Sequence, residues 1–194
     1  MSNLFKTLEI EAFRKGITPR TKESREWFRQ KAGRITGVNR RSLMKEDALE
    51  RTKNEIVGHM YMFFYDPKTK ATLPYYDKFP LIIVVGPAEG GFYGLNLHYL
   101  PLSLRAKFLD ALLDITTNSK YDDTTKFKMS YALMKRSATM KYFKPCFKHY
   151  LNAHVRGNFA KVSAPEYEIA VFLPTADWAK GSQSQIYRDS RKMI

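Results

Sequence analysis

The sequence predicts an α+β fold in which a small antiparallel sheet, at about residues 56–99, is flanked by N-terminal and C-terminal helices. The middle of the chain is rich in β-branched and aromatic residues interrupted by turn signals. Both ends instead show apolar residues at helical spacing next to capping residues. With 194 residues, 44% of them hydrophobic, the chain can bury a core. We therefore divide it into a basic helical N-terminal segment, residues 1–55, and an α+β core domain with basic C-terminal helices, residues 56–194.

Three helices are predicted before residue 55. The first ends near Gly16, and the second begins at Thr18-Pro19, with Thr as the N-cap and Pro at the first helical position. The third is predicted to run from about Arg40 to Lys53, with Asn39 as its cap. The apolar stripe of the first helix consists of Leu4, Phe5, Leu8 and Ala12.

Three strands are predicted in the middle of the chain. Ile56–Tyr65 is rich in β-branched and aromatic residues and ends at the turn signal Asp66-Pro67-Lys68. Leu81–Val85 is an unbroken apolar run, which is typical of a strand buried on both faces. Glu89-Gly90-Gly91 predicts a turn into a third strand, Phe92–Tyr99. These segments predict an antiparallel sheet of three or four strands.

Helices are predicted again in the second half of the chain. Pro101 begins one, and Asp122-Asp123 caps the next. A further helix is predicted to start at Pro145, and Ser163–Glu166 has the capping-box pattern of another. A last helix is predicted to be capped by Thr175 and to run through Tyr187.

The charge of the chain is unusual for its size. Its 33 Lys and Arg residues against 19 Asp and Glu residues give a net charge of +14. Residues 1–55 carry 14 basic and 8 acidic side chains, residues 56–123 carry 6 and 7, and residues 124–194 carry 13 and 4. Two basic ends thus flank a nearly neutral centre. This pattern predicts a polyanionic partner, because phosphate contacts release condensed counterions. A stable basic protein without such a partner is the alternative.

Clusters of Lys and Arg, interleaved with aromatic residues, are the predicted DNA contacts. Within Met140–Tyr150, three lysines recur at spacings of three and four, which would place two or three of them on one face of a helix. The sequence has no helix-turn-helix spacing, zinc finger or RNA-recognition strand motif, so binding to double-stranded DNA is predicted to be independent of sequence. The predicted DNA-binding residues are Arg14, Lys15, Arg20, Lys22, Arg25, Arg29, Arg40, Arg41, Lys135, Arg136, Lys141, Lys144, Lys148 and Arg156.

Residues suited to catalysis or metal binding do not form a motif. The histidines lack the spacing of a zinc site, and His149 and His154 would diverge on a helix. Cys146 lies among lysines and near His149, but no orienting carboxylate or amide accompanies it, which favours a small core residue. We predict no catalytic residue, no metal and no cofactor.

A metal-dependent nuclease is the enzymatic alternative. Its core would need an acidic residue followed by a strand bearing Asp/Glu-x-Lys, and only Asp66-Pro67-Lys68 has that form. Because Pro67 makes this segment a turn, we predict a protein that is not an enzyme.

The compartment is predicted from three features of the sequence. The chain has one cysteine, no apolar run approaching the roughly 18 residues of a membrane span, and no apolar signal region after Met1. We expect the protein in the cytosol, or in a particle assembled there, and not in a membrane.

Four stretches of the chain resemble a family of phage proteins. They read MYMFFYDPKTK at Met60–Lys70, LPYYDKFP at Leu73–Pro80, GGFYGLNLHYLP at Gly90–Pro101 and YFKPC at Tyr142–Cys146. They are similar to the DNA end protector family, minor virion proteins of T-even-type contractile-tailed bacteriophages. The resemblance covers about residues 55–190.

This resemblance implies a protein that caps the packaged genome end near the portal and shields it from host exonuclease. The partner would be the termini of double-stranded DNA, with portal, neck or other virion proteins as further partners. The location would be the virion, and the host cytoplasm during assembly. A structural neck, portal-proximal or baseplate subunit is the alternative. The resemblance assigns no individual residue to DNA contact.

Overall fold

The computed structural model describes residues 3–116 and 118–194. Its helices are α1 (Leu4–Arg14), α2 (Lys22–Ala32), α3 (Arg40–Leu43), α4 (Leu102–Thr116), α5 (Asp123–Thr139), α6 (Tyr167–Ala170) and α7 (Gln183–Lys192). Its strands are β1 (Glu50–Thr52), β2 (Met60–Tyr65), β3 (Tyr76–Asp77), β4 (Leu81–Ala88), β5 (Gly91–Asn96), β6 (Phe147–Leu151), β7 (Val155–Val162) and β8 (Trp178–Ala179). Short 3-10 turns lie at Leu97–Tyr99, Lys141–Cys146, Asn152–His154 and Ala164–Glu166. The fold class is α+β, as predicted.

Six of the strands form one antiparallel sheet in the order β1-β7-β2-β4-β5-β6, and β3 pairs with β8. β4 and β5 form a hairpin that turns at Gly90, whose φ of +68° suits glycine. β5 and β6 pair closely at Gly91, where a Cβ atom would lie 1.9 Å from the carbonyl oxygen of Tyr150. Glycine is therefore required at position 91 by the approach of two backbones.

The sheet curls around an aromatic cluster. Phe63 of β2 lies 5.5 Å from Tyr150 of β6, and Phe92 of β5 lies 5.8 Å from Phe159 of β7, measured between ring centroids. Each pair is three strands apart in the sheet order, about 14 Å in a flat sheet. The sheet is therefore a partly closed barrel, and these rings fill its interior together with Tyr61, Tyr65, Ile82 and Val84.

The opposite face of the sheet is covered by helices. Met62 and Ile83 of the sheet are buried in one cluster with Phe5 of α1, Phe28 of α2 and Phe108 of α4. The N-terminal helices are also joined to the rest of the chain by polar contacts. The Glu168 carboxylate of α6 accepts hydrogen bonds from the Ser24 hydroxyl and the Arg20 backbone N–H. No helix of residues 3–116 and 118–194 is long and apolar enough to cross a membrane.

Several predicted elements are confirmed. Phe5, Leu8 and Ala12 are the buried stripe of α1. Asn39 caps α3 by accepting from the backbone N–H of Ser42, and Asp122 caps α5 by accepting from that of Thr125. Small side-chain acceptors placed just before a helix satisfy its first free N–H groups, which is why these two caps could be predicted.

The predicted helix from Arg40 to Lys53 is wrong beyond its first turn. α3 ends at Leu43, because the Glu46 carboxylate turns back to accept from the backbone N–H groups of Leu4 and Phe5 at 2.7 and 2.9 Å. Glu50–Thr52 then pairs with β7. Long-range pairing outweighs local helix propensity in a segment with few apolar anchors.

The helix predicted to start at Pro145 is also wrong. Pro145 lies in a 3-10 turn, and the residues that follow it form β6. In β6, Lys148 and Tyr150 point to one face and Phe147 and His149 to the other, which is the two-residue period of a strand. The predicted sheet of about residues 56–99 therefore lacked β1, β6 and β7.

Two predicted helix starts differ in the structure. Thr175 does not cap a helix: its hydroxyl lies 3.0 Å from His98 Nε2, and Ser182 caps α7 instead. The second helix begins at Lys22 and not at Pro19, because Thr21 and Ser24 form the capping box.

Candidate nucleic-acid interface

A buried polar network lies beneath the site and positions it. His98 Nδ1 lies 2.6 Å from Asp77 Oδ2, and Asp77 Oδ1 accepts from the backbone N–H groups of Phe79 and Asp177. The Asn96 amide also donates to Asp77, at 3.1 Å. The network joins β3, β5 and the segment before β8, three parts of the chain that are distant in sequence.

The charges of this network follow from its burial. Burial lowers the pKa of His98 and outweighs the attraction of Asp77, so the ring is neutral and Nδ1–H donates to Asp77. Burial alone would raise the pKa of Asp77, but His98, Asn96 and a backbone N–H bring it below the ordinary value. The Thr175 hydroxyl completes an acid–imidazole–hydroxyl series. All three side chains are buried, and the Thr175 hydroxyl is fully so, so this series connects chain segments and offers no nucleophile to a substrate.

A buried arginine reinforces the same region. The Arg105 guanidinium donates to the backbone carbonyls of Leu100, Val171 and His98 and to the Tyr187 hydroxyl, at 2.8–3.3 Å. Burial lowers its pKa. These four acceptors satisfy a cation that would otherwise be costly to remove from water.

The first cavity of the site lies above this network, with a volume of about 520 Å³. It opens between the loop after β2 and the edge strand β6. Lys68 and Lys148 supply its cations, and Asp77 and Asn96 contribute to its lining. Its aromatic lining consists of Tyr65, Tyr75, Tyr76, Tyr99 and Tyr150.

The second cavity, of about 470 Å³, shares Tyr65 and Tyr76 with the first. Three cations line it, Arg41, Lys78 and Arg156. Arg41 belongs to α3 and Arg156 to β7, so the two basic flanks of the sequence meet here.

Two carboxylates balance part of this charge. Arg156 Nη2 lies 3.2 Å from Asp66 Oδ2, and Lys78 Nζ lies 3.1 Å from Asp177 Oδ1. Lys70 also pairs with Asp66, and hydrogen bonds from Lys70 and Arg156 lower the pKa of this exposed carboxyl. Arg41 is exposed, and in the described part of the chain its side chain has no acidic partner. Together the two cavities form one surface with an aromatic part and a cationic part, which we call the Tyr65 surface.

The other predicted DNA contacts are distributed over the molecule. Arg25 is buried and its Nε lies against the Asp110 carboxylate, while Arg29 pairs with Glu26. Arg40 donates to the carbonyls of Thr175 and Ala176 at 2.8 and 2.6 Å, so its guanidinium supports the fold. The remaining cations have exposed side chains: Arg14, Lys15, Arg20, Lys22, Lys135, Arg136, Lys141 and Lys144.

The helical face predicted for Lys141, Lys144 and Lys148 does not exist in the structure. The first two lie in the 3-10 turn at Lys141–Cys146, and Lys148 lies in β6 with its ammonium 4.2 Å from the centroid of the Tyr99 ring. The three lysines therefore do not share one helical face.

Residues that the sequence reasoning did not select form much of the Tyr65 surface. Lys68 and Lys78 lie on either side of the segment that carries Tyr75 and Tyr76. The stretch Tyr75–Lys78, with two aromatic residues and a cation, was the available signal. It is short and lies in the nearly neutral centre of the chain, residues 56–123, so it is not among the clusters of Lys and Arg.

The candidates for reaction chemistry have structural surroundings. Cys146 is fully buried, and burial raises the pKa of its thiol to about 12, so the thiol stays protonated. In residues 3–116 and 118–194, no group of three or more His, Cys, Asp or Glu side chains is placed to hold a metal ion.

Comparison with known proteins adds one finding. A family model described as the phage T4 terminal DNA protecting protein matches residues 5–192. No curated protein and no solved structure matches the chain significantly. The match includes both basic flanks and all strands of the sheet. The chain therefore belongs to the family of the phage T4 terminal DNA protecting protein.

Proposed function

We propose that the protein binds the terminus of double-stranded phage DNA without reading its sequence and shields that terminus from exonuclease. The observation that carries this proposal is the meeting of Arg41 and Arg156, one from each basic flank, beside the aromatic cavity. The family description, a terminal DNA protecting protein, supports the same function.

Contact with the DNA backbone is the main source of affinity in this proposal. The exposed guanidinium of Arg41 can donate two parallel hydrogen bonds to a phosphate. Arg156 and Lys78 can exchange their carboxylate partners for phosphates, since both ion pairs are solvent-exposed and weak. Contacts to phosphates carry no sequence information, so binding is independent of sequence.

Protection follows from occupancy and requires no reaction. An exonuclease must reach the last nucleotides of the duplex, and a bound protein excludes it from them. The burial of the Asp77–His98–Thr175 series and the protonated thiol of Cys146 support a role without catalysis. The protein would act in the virion, on DNA packaged in the host cytoplasm.

The test compares blunt linear duplex with the same duplex closed by hairpins at both ends, at about 150 mM salt. We expect tighter binding to the linear form and protection of it from an exonuclease. Equal affinity for both forms, or cleavage of bound DNA when Mg²⁺ is added, would contradict the proposal. The double variant R41Q/R156Q should lose binding. R51Q is the matched control, because Arg51 is exposed on β1 and lines neither cavity.

A structural virion subunit is the second candidate function. Phe13 is 83% exposed and Ile10 is 41% exposed, and the two lie three residues apart on α1. Exposed apolar side chains at this spacing favour contact with another protein. F13S should abolish incorporation into particles if this contact is the main role. Normal incorporation of F13S together with lost incorporation of R41Q/R156Q would favour the DNA-binding role.

A further inference from the structure

The aromatic cavity of the Tyr65 surface has the size of a ligand site. Its volume of about 520 Å³ is within the range of small-molecule sites. Its walls come from the loop after β2, from β6 and from Met193 near the C-terminus. Of its aromatic rings, Tyr65, Tyr99 and Tyr150 are buried in the cavity wall. Tyr75 and Tyr76 are half-buried and can offer ring surface on which a nucleobase of any identity stacks.

Lys148 gives this cavity a positive charge that no ion pair among the described residues neutralises. The Asp77 carboxylate of the lining is hydrogen-bonded to His98, Asn96 and backbone N–H groups instead. Its ammonium lies over the Tyr99 ring at 4.2 Å from the centroid, and no carboxylate in the described part of the chain pairs with it. Burial lowers the pKa of Lys148, so the charged form is short of solvation. A partly desolvated cation without a counterion gains free energy when an anionic group enters beside it.

Two tyrosine hydroxyls can donate hydrogen bonds into the cavity. Tyr65 Oη accepts from the backbone N–H of Leu151 at 3.1 Å, and Tyr150 Oη accepts from the Asn96 amide at 3.2 Å. In the described structure neither hydroxyl proton has a protein acceptor. Burial raises the pKa of both tyrosines, so both protons are retained. A nucleobase carries carbonyl oxygens and ring nitrogens that could accept them.

We propose that this cavity binds one nucleotide, with its base among the tyrosines and its phosphate against Lys148. In the particle that nucleotide is the unpaired last nucleotide of the genome, an assignment that rests on the proposed function. The adjoining cavity with Arg41 and Arg156 then holds the backbone of the duplex behind it. This arrangement would explain a preference for ends, since a terminal nucleotide leaves the stack at a lower cost than an internal one.

The test has two ligand arms, which distinguish a DNA terminus from a free nucleotide. One arm measures binding of linear duplexes that end in a mismatched pair, a G·C pair or a hairpin loop. The other arm titrates the protein with deoxynucleoside monophosphates by calorimetry. The wild-type protein should bind the mismatched end about tenfold more tightly than the hairpin-closed duplex, which is a modest effect beside the salt-dependent backbone term.

The variants K148M and Y76L remove the cation and one ring. Met retains most of the length of Lys without its charge, and Tyr76 is half-buried and makes no ring contact in the described structure, so both variants should fold. We expect each to lose the preference for mismatched ends. Lys148 lines the first cavity and not the second, so K148M should change binding of hairpin-closed duplex less than twofold. K107M is the control, because Lys107 is exposed on α4 and lines neither cavity.

The outcomes of this test distinguish the proposed nucleotide site from the proposed end-binding function. If the preference for ends persists in both K148M and Y76L, the nucleotide site is refuted while the end-binding function stands. A second outcome is that monophosphates bind in a way that depends on Lys148 while linear and hairpin-closed duplexes bind equally well. That result would support the site with a free nucleotide as its ligand and would refute the end-binding function. If neither arm depends on Lys148 or Tyr76, the site is refuted.

Discussion

The Tyr65 hydroxyl accepts a hydrogen bond from the backbone N–H of Leu151 at 3.1 Å, which directly links β2 and β6 although they are three strands apart in the sheet order. The Tyr65 and Tyr150 rings, 4.9 Å apart, accompany this bond. The side chain of Tyr65 therefore holds the open edge of the curled sheet against its middle, at the wall shared by the two cavities.

Tyr65→Phe should destabilise the fold. The variant leaves the Leu151 N–H without this acceptor in a half-buried position, which should lower the free energy of unfolding by about 1–2 kcal/mol. Urea unfolding followed by circular dichroism measures this change. Y93F is the control, because the Tyr93 side chain on β5 is exposed and should tolerate loss of its hydroxyl. An unchanged midpoint of urea unfolding in Y65F would show that the hydrogen bond between Tyr65 and Leu151 does not contribute to stability.

Gly91→Ala should be severely destabilising. The new Cβ would lie 1.9 Å from the Tyr150 carbonyl oxygen, so β5 and β6 would have to separate. We expect a loss of about 3 kcal/mol or more, at the upper end of small-to-large changes in packed regions. Gly86→Ala is the matched control, because a Cβ atom added there on β4 would meet no atom within 4 Å and the φ of Gly86 is not positive. Equal melting temperatures of the two variants would contradict the close approach.

Stability should fall as the pH decreases below about 6.5, the ordinary pKa of histidine in the unfolded chain. Burial lowers the folded pKa of His98, so in this range the unfolded chain takes up a proton that the folded chain does not. The resulting slope is at most about 1.4 kcal/mol per pH unit for this one group. Midpoints of urea unfolding, measured between about pH 5 and 8 at constant ionic strength, test whether stability falls as the pH decreases.

Titration of His98 by nuclear magnetic resonance provides the second check on this pH dependence. The ring should remain neutral, with the proton on Nδ1, well below the ordinary pKa. A positively charged His98 ring at neutral pH in the folded protein would refute this account of the network.

The salt dependence of DNA binding should decrease when Arg41 and Arg156 are removed. Each lost phosphate contact reduces the slope of log K against log salt by about 0.9, so R41Q/R156Q should flatten it by about 1.8. Fluorescence anisotropy of a labelled linear duplex across a salt series measures this slope. R51Q, with an equal change in charge per residue on β1, should leave it within error. The same flattening in R51Q would mean that the charge acts without a defined site.

The sequence predicted those parts of the fold that depend on neighbouring residues. The buried stripe of α1 and the caps Asn39 and Asp122 follow from spacing and side-chain chemistry within one turn. The apolar run at Leu81–Val85 was long enough to identify β4. β6 was mistaken for a helix because Phe147, Tyr150 and Leu151 also fit a spacing of three and four, and only pairing with β5 decides between the two periods.

The candidate site could be predicted only in part for the same physical reason. The clusters of charge in the sequence include Arg41 and Arg156, but the two lie 115 positions apart in the chain. Their meeting depends on β7 lying beside β2, a pairing between distant segments that no local pattern encodes. The tyrosines of the first cavity resembled core residues in the sequence, and several of them also fill the barrel.

The position of β7 in the sheet also determines when the proposed site can form during synthesis of the chain. β7 is translated late, yet in the sheet it lies between β1 and β2. In the same way, β5 cannot pair with β6 until α4 and α5 have been translated. Such pairing between remote segments folds slowly, because a long loop must close before any contact forms. A ribosome that stops before residue 155 would release a chain that contains Arg41 but lacks Arg156 and the strand that holds it. The proposed site at Arg41 and Arg156 thus forms only after β7 has been translated, so on this proposal truncated products would not compete for genome ends.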